Sequence, residues 1–322
     1  MLALKRLGFV ALFLGFAQVV FGAIVRITGS GMGCGDHWPD CYGSFTPAHS
    51  GANLLVEITH RYGAAALSFA IGALAVTAWL KRRERGVGGS GGVLRASLLA
   101  IVLVVVAALF GAATVKLALD PLVVVAHLAI AISLLAVLVV VVVRAGGLGA
   151  LRIYSRSQRT FRVAMVAAGL TFLALILGAL TANTPGAALA CQGFPWCRVI
   201  GERGTPLLIQ ASHRIIAFLL LGHLIGVVIG VRKRDEARPI RVAAWTTLSI
   251  ATLQIVYAAA MVEMHLPASL RSIHQAIGTA LWISVVTLAA LANGQRFMTD
   301  IERIVYESPS RGEYATPEGV AT

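Results

Sequence analysis

Four histidines at matching positions are the residues of this 322-residue sequence whose type and spacing could do chemistry. They are His60, His127, His213 and His274, and each lies a turn or two inside the same end of a long apolar segment. A titratable side chain at that depth in a membrane is costly unless it faces the interior of a helix bundle. Two neutral imidazoles that face each other across a four-helix bundle can bind one haem iron axially. The sequence therefore predicts that His60 pairs with His127, and His213 with His274, as axial ligands of haem iron. Zinc fits less well, because two histidines in each half leave a tetrahedral site short of ligands.

Three arginines lie close to these histidines in the sequence. Arg61 and Arg214 directly follow His60 and His213, and Arg271 precedes His274 by three residues. A guanidinium binds a carboxylate through two parallel hydrogen bonds. These arginines are therefore predicted to bind the cofactor by holding haem propionates.

The two halves of the chain differ three residues before the histidine of each His-Arg pair, where the first half has Glu57 and the second has Gln210. An i, i+3 spacing puts each side chain on the same helix face as its histidine. A glutamate beside a haem can move protons or bind a substrate group, whereas a glutamine cannot titrate. We therefore expect Glu57, His60 and His127 to form the catalytic site and the second half to hold a permanent cofactor. The alternative is that Glu57 forms an ion pair with Arg61.

The four cysteines form two close pairs, Cys34 with Cys41 and Cys191 with Cys197. Local pairs of this kind are typical of disulfides in an oxidising compartment. Two interpretations of the first pair remain open. It either staples a loop over the haem pocket or is redox-active and transiently holds substrate.

The composition excludes a soluble protein and a disordered one. Hydrophobic residues make up 58% of the chain and charged residues 13%, and the mean hydropathy is +0.83. A soluble domain of this size could not bury so much apolar surface, and disordered chains have the opposite composition. The net charge of +13 then reflects basic loops on one side of a membrane, and no nucleic-acid partner is expected.

Apolar runs long enough to span a membrane as helices predict an all-α integral membrane fold. The predicted spans are 7–25, 58–80, 96–115, 121–143, 161–182, 207–231, 242–262 and 272–292. Clustered basic residues lie in the segments that share a side with the termini, including 81–85 and 232–234. The positive-inside rule therefore places both termini in the cytoplasm and both cysteine loops outside a cell membrane crossed several times.

An internal repeat relates the two halves of the chain. Each half has a long loop with a cysteine pair, a span that opens on His-Arg, and a last span that carries a His-x-Ala-Ile string. This layout predicts two pseudo-symmetric four-helix bundles. The expected units are an N-terminal half with the substrate haem site (1–143), a cytoplasmic connector (144–160), a C-terminal half with a haem b site (161–292) and a polar tail (293–322).

The motifs together resemble the bacterial haem A synthase family over about residues 1–292. The resemblance rests on the Arg-Ile-Thr-Gly-Ser-Gly-Met-Gly-Cys string that ends at Cys34, on Glu57-Ile-Thr-His60-Arg61, and on the second-half histidines. It implies that the C8 methyl of haem O is oxidised to a formyl group by successive hydroxylation, which gives haem A for cytochrome oxidase. It also implies that His213 and His274 ligate haem b, and that His60 and His127 bind the substrate haem. Both dioxygen and water remain open as the oxygen source.

Two other functions fit part of the pattern. A dihaem b-type cytochrome that relays electrons from quinol would also have four histidines and eight spans, but would need neither Glu57 nor the cysteine loops. A transporter with parallel repeats would need polar or broken helices near the middle of the membrane. The synthase needs an electron donor that the sequence does not name. It is compatible with an oligomer and with docking of a haem O synthase or cytochrome oxidase assembly proteins.

Overall fold

The part of the chain that the structure describes forms eight α-helices that are long and apolar enough to cross a membrane. This computed structural model describes residues 1–45, 51–148, 157–199 and 204–293. The helices are α1 Leu2–Ile27, α2 Ala52–Leu80, α3 Val93–Lys116, α4 Pro121–Arg144, α5 Gln158–Asn183, α6 Thr205–Lys233, α7 Arg238–Glu263 and α8 Ala268–Ala292. Each contains one predicted span, so the predicted all-α, multi-pass membrane fold is confirmed.

Several helices extend beyond the apolar runs that predicted them. The first helix begins at Leu2 and the second at Ala52, five and six residues before the predicted spans. Lys5 and Arg6 are good helix formers, so they continue α1 beyond its apolar part. The early start of α2 places Glu57 within the same regular helix as His60.

The packing of the first four helices recurs in the last four. Helix α1 contacts α2 and α4, and α3 also contacts α2 and α4. In the same way α5 contacts α6 and α8, and α7 contacts α6 and α8. The halves meet where α4 contacts α5 and α8, and where α1 contacts α8. The division into two separate bundles remains a prediction.

Apolar cores fill the helix packing away from the histidines. One core joins α1–α4 through side chains such as Leu4, Ile71 and Leu138. A second core joins α4 to the last four helices, and its Trp282 donates a hydrogen bond from Nε1 to the carbonyl of Ile132 at 2.8 Å. The two halves therefore share a packed boundary.

The cysteine pairs lie in the α1–α2 and α5–α6 loops, at the end of the molecule that we call the cysteine-loop end. The second loop contains a 3-10 turn, Ala187–Leu189, and a two-stranded antiparallel sheet, β1 Cys191–Gln192 and β2 Arg198–Val199. All four predicted haem ligands lie on helices near this end. Much of the predicted connector and almost all of the predicted tail, 149–156 and 294–322, lie outside the described residues.

Candidate functional site

A cavity of about 550 Å³ lies among α1–α4 at the cysteine-loop end. His60 from α2 and His127 from α4 both line it, and so do Glu57 and Arg61. The structure therefore brings the predicted catalytic residues of the first half to one cavity.

Glycines let the neighbouring helix backbones approach three of the histidine rings. A Cβ atom added at Gly22 would lie 3.1 Å from Cε1 of His60, and one at Gly178 would lie 3.0 Å from Cε1 of His213. One at Gly111 would lie 3.4 Å from Cε1 of His127. All these distances are below the optimal carbon–carbon separation of about 3.5–4.0 Å. Sequence reasoning missed these glycines, although Gly22 and Gly178 occupy equivalent places in the repeat.

In the second half the ring of His213 is oriented as an iron ligand requires. Its Nδ1 lies 2.9 Å from the carbonyl oxygen of Ala174. A carbonyl can only accept, so Nδ1 carries the proton and Nε2 keeps its lone pair free for a metal. His274, the predicted second ligand, has its Nε2 3.1 Å from the side-chain nitrogen of Gln254.

Within the described residues, Nδ1 of His274 is buried without a hydrogen-bond partner, whereas the ring of His127 lies beside the backbone of Ala107. A buried polar atom without a partner is costly and calls for a specific explanation. In the described part of the chain, no three His, Cys, Asp or Glu side chains lie together as a metal site. Two histidines in each half fit a haem, because a porphyrin supplies the remaining iron ligands. The first pair, His60 and His127, lies on the large cavity.

Gln18 on α1 is a residue of the first site that sequence reasoning missed. Its side-chain nitrogen lies 3.0 Å from Nδ1 of His60 and donates to the His60 carbonyl at 2.8 Å. Gly63 leaves room for this amide, since a Cβ there would lie 2.5 Å from Oε1 of Gln18. The amide fixes the ring of His60 against α1. Gly63 thus allows close packing of α1 on α2.

Glu57 is buried, with 4% of its surface exposed. Its Oε2 accepts a hydrogen bond from the backbone nitrogen of Cys34 at 2.8 Å, and its Oε1 pairs with the Arg61 guanidinium. The ion pair considered as the alternative is therefore present, and the same carboxylate also lines the cavity. Glu57 joins the histidine-bearing turn of α2 to the first cysteine loop.

Gln210 joins α6 to the second cysteine loop in the opposite sense. Its side-chain nitrogen donates to the carbonyls of Ala188 and Cys191 at 3.1 and 3.2 Å. Its Oε1 is buried without a recorded partner. Glu57 thus accepts a hydrogen bond from the backbone of the first cysteine loop, whereas Gln210 donates hydrogen bonds to the backbone of the second.

Two of the three predicted propionate-binding arginines support the cysteine loops. Arg61 donates to the carbonyls of Asp40 and His37 at 2.7 and 2.8 Å. Arg214 donates to the carbonyls of Gly193 and Cys191, both at 2.7 Å. These contacts occupy guanidinium donors with loop backbone.

The third predicted arginine, Arg271, lies half-buried on α8. Within the described residues no hydrogen bond or ion pair is recorded for its side chain. Its charge lies close enough to repel Arg26, which lines the first-half cavity. Arg271 therefore retains guanidinium donors for an anionic group.

Both predicted cysteine pairs have their sulfur atoms at disulfide distance. The S–S separations are 2.09 Å for Cys34–Cys41 and 2.10 Å for Cys191–Cys197. Cys34 and Cys41 are buried and pack with Leu54 and Ile58. The first pair therefore anchors its loop on α2, next to the cavity.

The chain is similar to cytochrome oxidase assembly proteins. Residues 5–286 match the sequence model of the COX15-CtaA family, described as "Cytochrome oxidase assembly protein". A protein of Bacillus pumilus named "Heme A synthase" is 29% identical over 230 residues, which cover 68% of this chain and 71% of that protein. A Bacillus cereus protein of the same name is 24% identical over 277 residues, covering 84% and 87%. One from Geobacillus kaustophilus is 27% identical over 244 residues, covering 70% and 71%.

Proposed function

This chain belongs to the COX15-CtaA family of cytochrome oxidase assembly proteins, and we propose from that membership that it is a haem A synthase. It is an enzyme of haem biosynthesis that converts haem O to haem A. The names of its relatives agree with the function implied by the sequence motifs. They give no support to an electron-relay cytochrome. The observation that carries the assignment within the molecule is the cavity that holds His60, His127 and Glu57 together.

The cavity among α1–α4 is the substrate site in this proposal. His60 and His127 bind the iron of haem O, and Gly22 and Gly111 let the helices approach their rings. The volume of about 550 Å³ lies within the usual range of about 300–1,000 Å³ for ligand pockets. The position of both histidines on one cavity with Glu57 and Arg61 supports a ligand bound between them.

Haem b is the resident cofactor in this proposal, held by His213 and His274. The bond from Nδ1 of His213 to the Ala174 carbonyl supports this role, because it leaves Nε2 free. When bound, a bis-histidine haem supplies one-electron transfer. Arg271 holds a propionate, while Arg214 holds the cysteine loop in place above the site.

Glu57 holds or moves a proton for the reaction at the C8 methyl. Its Oε2 accepts a hydrogen bond from the Cys34 amide, and its Oε1 accepts one from Arg61. A carboxylate has about four acceptor positions, so it keeps capacity on the cavity side. Arg61 on α2 and the Cys34 amide in the first cysteine loop fix the position of the carboxylate.

The orientation in the cell membrane follows from charge. The loop after α2 and the end of α6 are rich in Lys and Arg, including 81–85 and 232–234. Basic loops stay in the cytoplasm. Both termini are therefore cytoplasmic in this proposal, and the cysteine loops are extracytoplasmic, where disulfides persist.

The partners in this proposal are those that the substrate and product require. Haem O reaches the protein through the membrane, a haem O synthase supplies it, and cytochrome oxidase assembly proteins receive haem A. The unit 1–143 carries the substrate site and the unit 161–292 carries haem b.

The test is to purify the protein in detergent, extract its haems and identify them by chromatography and mass. Haem B together with haem O, haem A or a hydroxylated intermediate is the expected result. Haem B alone, at about two per chain, would favour the cytochrome and refute the synthase.

Histidine variants test which half holds which haem. We expect His274→Ala to lose haem b and His127→Ala to lose the second haem while keeping haem b. His223→Gln is the matched control, because His223 is a helix histidine whose Nε2 bonds to the Val163 carbonyl at 2.9 Å and should lose neither haem. An unchanged haem content in His274→Ala would refute the ligand assignment.

A further inference from the structure

The cavity among α1–α4 continues well below the histidines. Four of its lining residues are Gly15, Leu67, Val104 and Leu134, one from each helix. Each lies seven residues along its helix from Gly22, His60, Gly111 or His127, and at 1.5 Å per residue this is about 10 Å deeper. The cavity therefore extends deeper into the helix bundle than the level at which the two imidazoles can bind an iron.

Small side chains line this deeper part, which we call the lower chamber. Its walls include Gly15, Ala64, Ala107 and Ala131. Leu67, Val104 and Leu134 form its floor, and they belong to the packed core of α1–α4. The lining at this depth is mainly apolar, and Ser68 beside Leu67 adds one hydroxyl group.

The second half fills the equivalent space with side chains. His127 and His274 lie 147 residues apart, and the same offset relates Ala107 to Gln254 and Ala131 to Gly278. A Cβ at Gly278 would lie 3.1 Å from the side-chain nitrogen of Gln254 and 3.5 Å from Cδ2 of Leu175. Gln254 thus packs against α8 just below His274, and its side-chain nitrogen also lies 3.1 Å from Nε2 of that histidine, where the first half has the small side chain of Ala107 and open volume.

This difference matches the chemistry of the two haems, since haem O carries a long isoprenoid chain that haem B lacks. We propose that the lower chamber is the subsite for the isoprenoid chain of haem O. The chain points from the macrocycle towards the membrane interior, between the small faces of α2 and α3. Ala64 and Ala107 then determine that the first half takes a tailed haem, while Gln254 restricts the second half to a haem without a tail. The inference rests on the proposed function, because it takes haem O as the substrate.

The test compares two substitutions of the same kind on α2. Ala64 lines the lower chamber, whereas Ala66 is exposed on the helix surface and does not line the cavity. Purified Ala64→Leu, Ala66→Leu and unsubstituted proteins, each carrying haem b, are titrated with haem O and separately with haem B, and the Soret band is followed. A branched side chain at Ala64 should weaken haem O binding at least about tenfold, because it takes volume that the chain needs. Haem B binding at the same site should stay within about twofold, as should both affinities of Ala66→Leu.

Equal weakening of haem O and haem B by Ala64→Leu would overturn the subsite, as would unchanged haem O binding. The haem b content of each preparation reports folding, and Ala107→Val gives the same test from α3 if Ala64→Leu loses haem b. Failure of the proposed function looks different, because the unsubstituted protein would then neither bind haem O nor form haem A.

Discussion

Replacing Gly178 by alanine should displace His213 and weaken haem b binding. The added Cβ would lie 3.0 Å from Cε1 of the His213 ring, so the ring or α5 must give way by roughly 0.5 Å to reach ordinary carbon contact. The ring cannot slide freely, because its Nδ1 is bonded to the Ala174 carbonyl at 2.9 Å. Overpacking costs about 1–3 kcal/mol, and loss of that hydrogen bond costs about 1 kcal/mol more.

The gain in helix propensity partly offsets this cost. Alanine stabilises a helix interior by about 1 kcal/mol relative to glycine. The net loss expected for Gly178→Ala is therefore about 1–3 kcal/mol. If this loss appears in the binding of haem b, the affinity of the protein for haem b falls about five- to 150-fold.

Gly169→Ala is the matched control, because it makes the same change on the same helix. A Cβ at Gly169 meets no atom within 4 Å. Haem b per chain, the reduced absorption spectrum and the thermal midpoint are measured for both variants. Gly169→Ala should match the unsubstituted protein in haem content and spectrum and raise the thermal midpoint slightly through helix propensity, while Gly178→Ala should lose haem and shift its spectrum. Equal haem content and identical spectra in the two variants would refute the view that this glycine positions the ligand.

Four further outcomes are expected from the contacts of single side chains. Glu57→Gln should keep haem b and the fold but abolish haem A formation, measured by haem extraction after growth; normal product levels would remove Glu57 from the mechanism. Arg214→Ala should lose its two hydrogen bonds to loop carbonyls, a cost of about 3–6 kcal/mol at 1.5–3 kcal/mol each, and should speed proteolysis of the second cysteine loop. Mass spectrometry should find Cys191 and Cys197 joined in native membranes, and free thiols at both would contradict the pairing. Asp120→Ala should lower stability by about 1 kcal/mol, seen as a lower thermal midpoint, because its carboxylate caps α4 through two backbone amides at 2.9 and 3.2 Å.

The number and order of the helices follow from the apolar runs, because only helices of about that length satisfy the backbone in lipid. The ends of α1 and α2 do not follow in the same way. Lys5, Arg6 and Glu57 are polar, so hydropathy excludes them, but they continue a helix as readily as apolar residues do. Helix bounds thus depend on backbone propensity as well as on burial.

The sequence singles out the four histidines because the repeat sets them at matching places. It does not identify the residues that contact their rings. A glutamine or glycine within an apolar helix is compatible with many positions, and only the packing of α1 on α2 shows that Gln18 and Gly22 face His60. The arginines illustrate the same limit. Irregular loops leave carbonyls that need donors, and the spacing of Arg61 and Arg214 does not reveal that they meet this need. Their predicted contact with propionates remains a prediction.

Glu57 accepts a hydrogen bond from its cysteine loop, whereas Gln210 donates hydrogen bonds to its own. A change from glutamate to glutamine at this position is therefore easier than the reverse change. A glutamine at position 57 can turn its oxygen towards the Cys34 amide and keep that hydrogen bond. A glutamate at position 210 would direct its charge at two carbonyl oxygens, those of Ala188 and Cys191, with no donor to replace the lost amide hydrogens. At this position, therefore, glutamate can change to glutamine with the loop contact kept, whereas the reverse change requires the second loop to be rebuilt first.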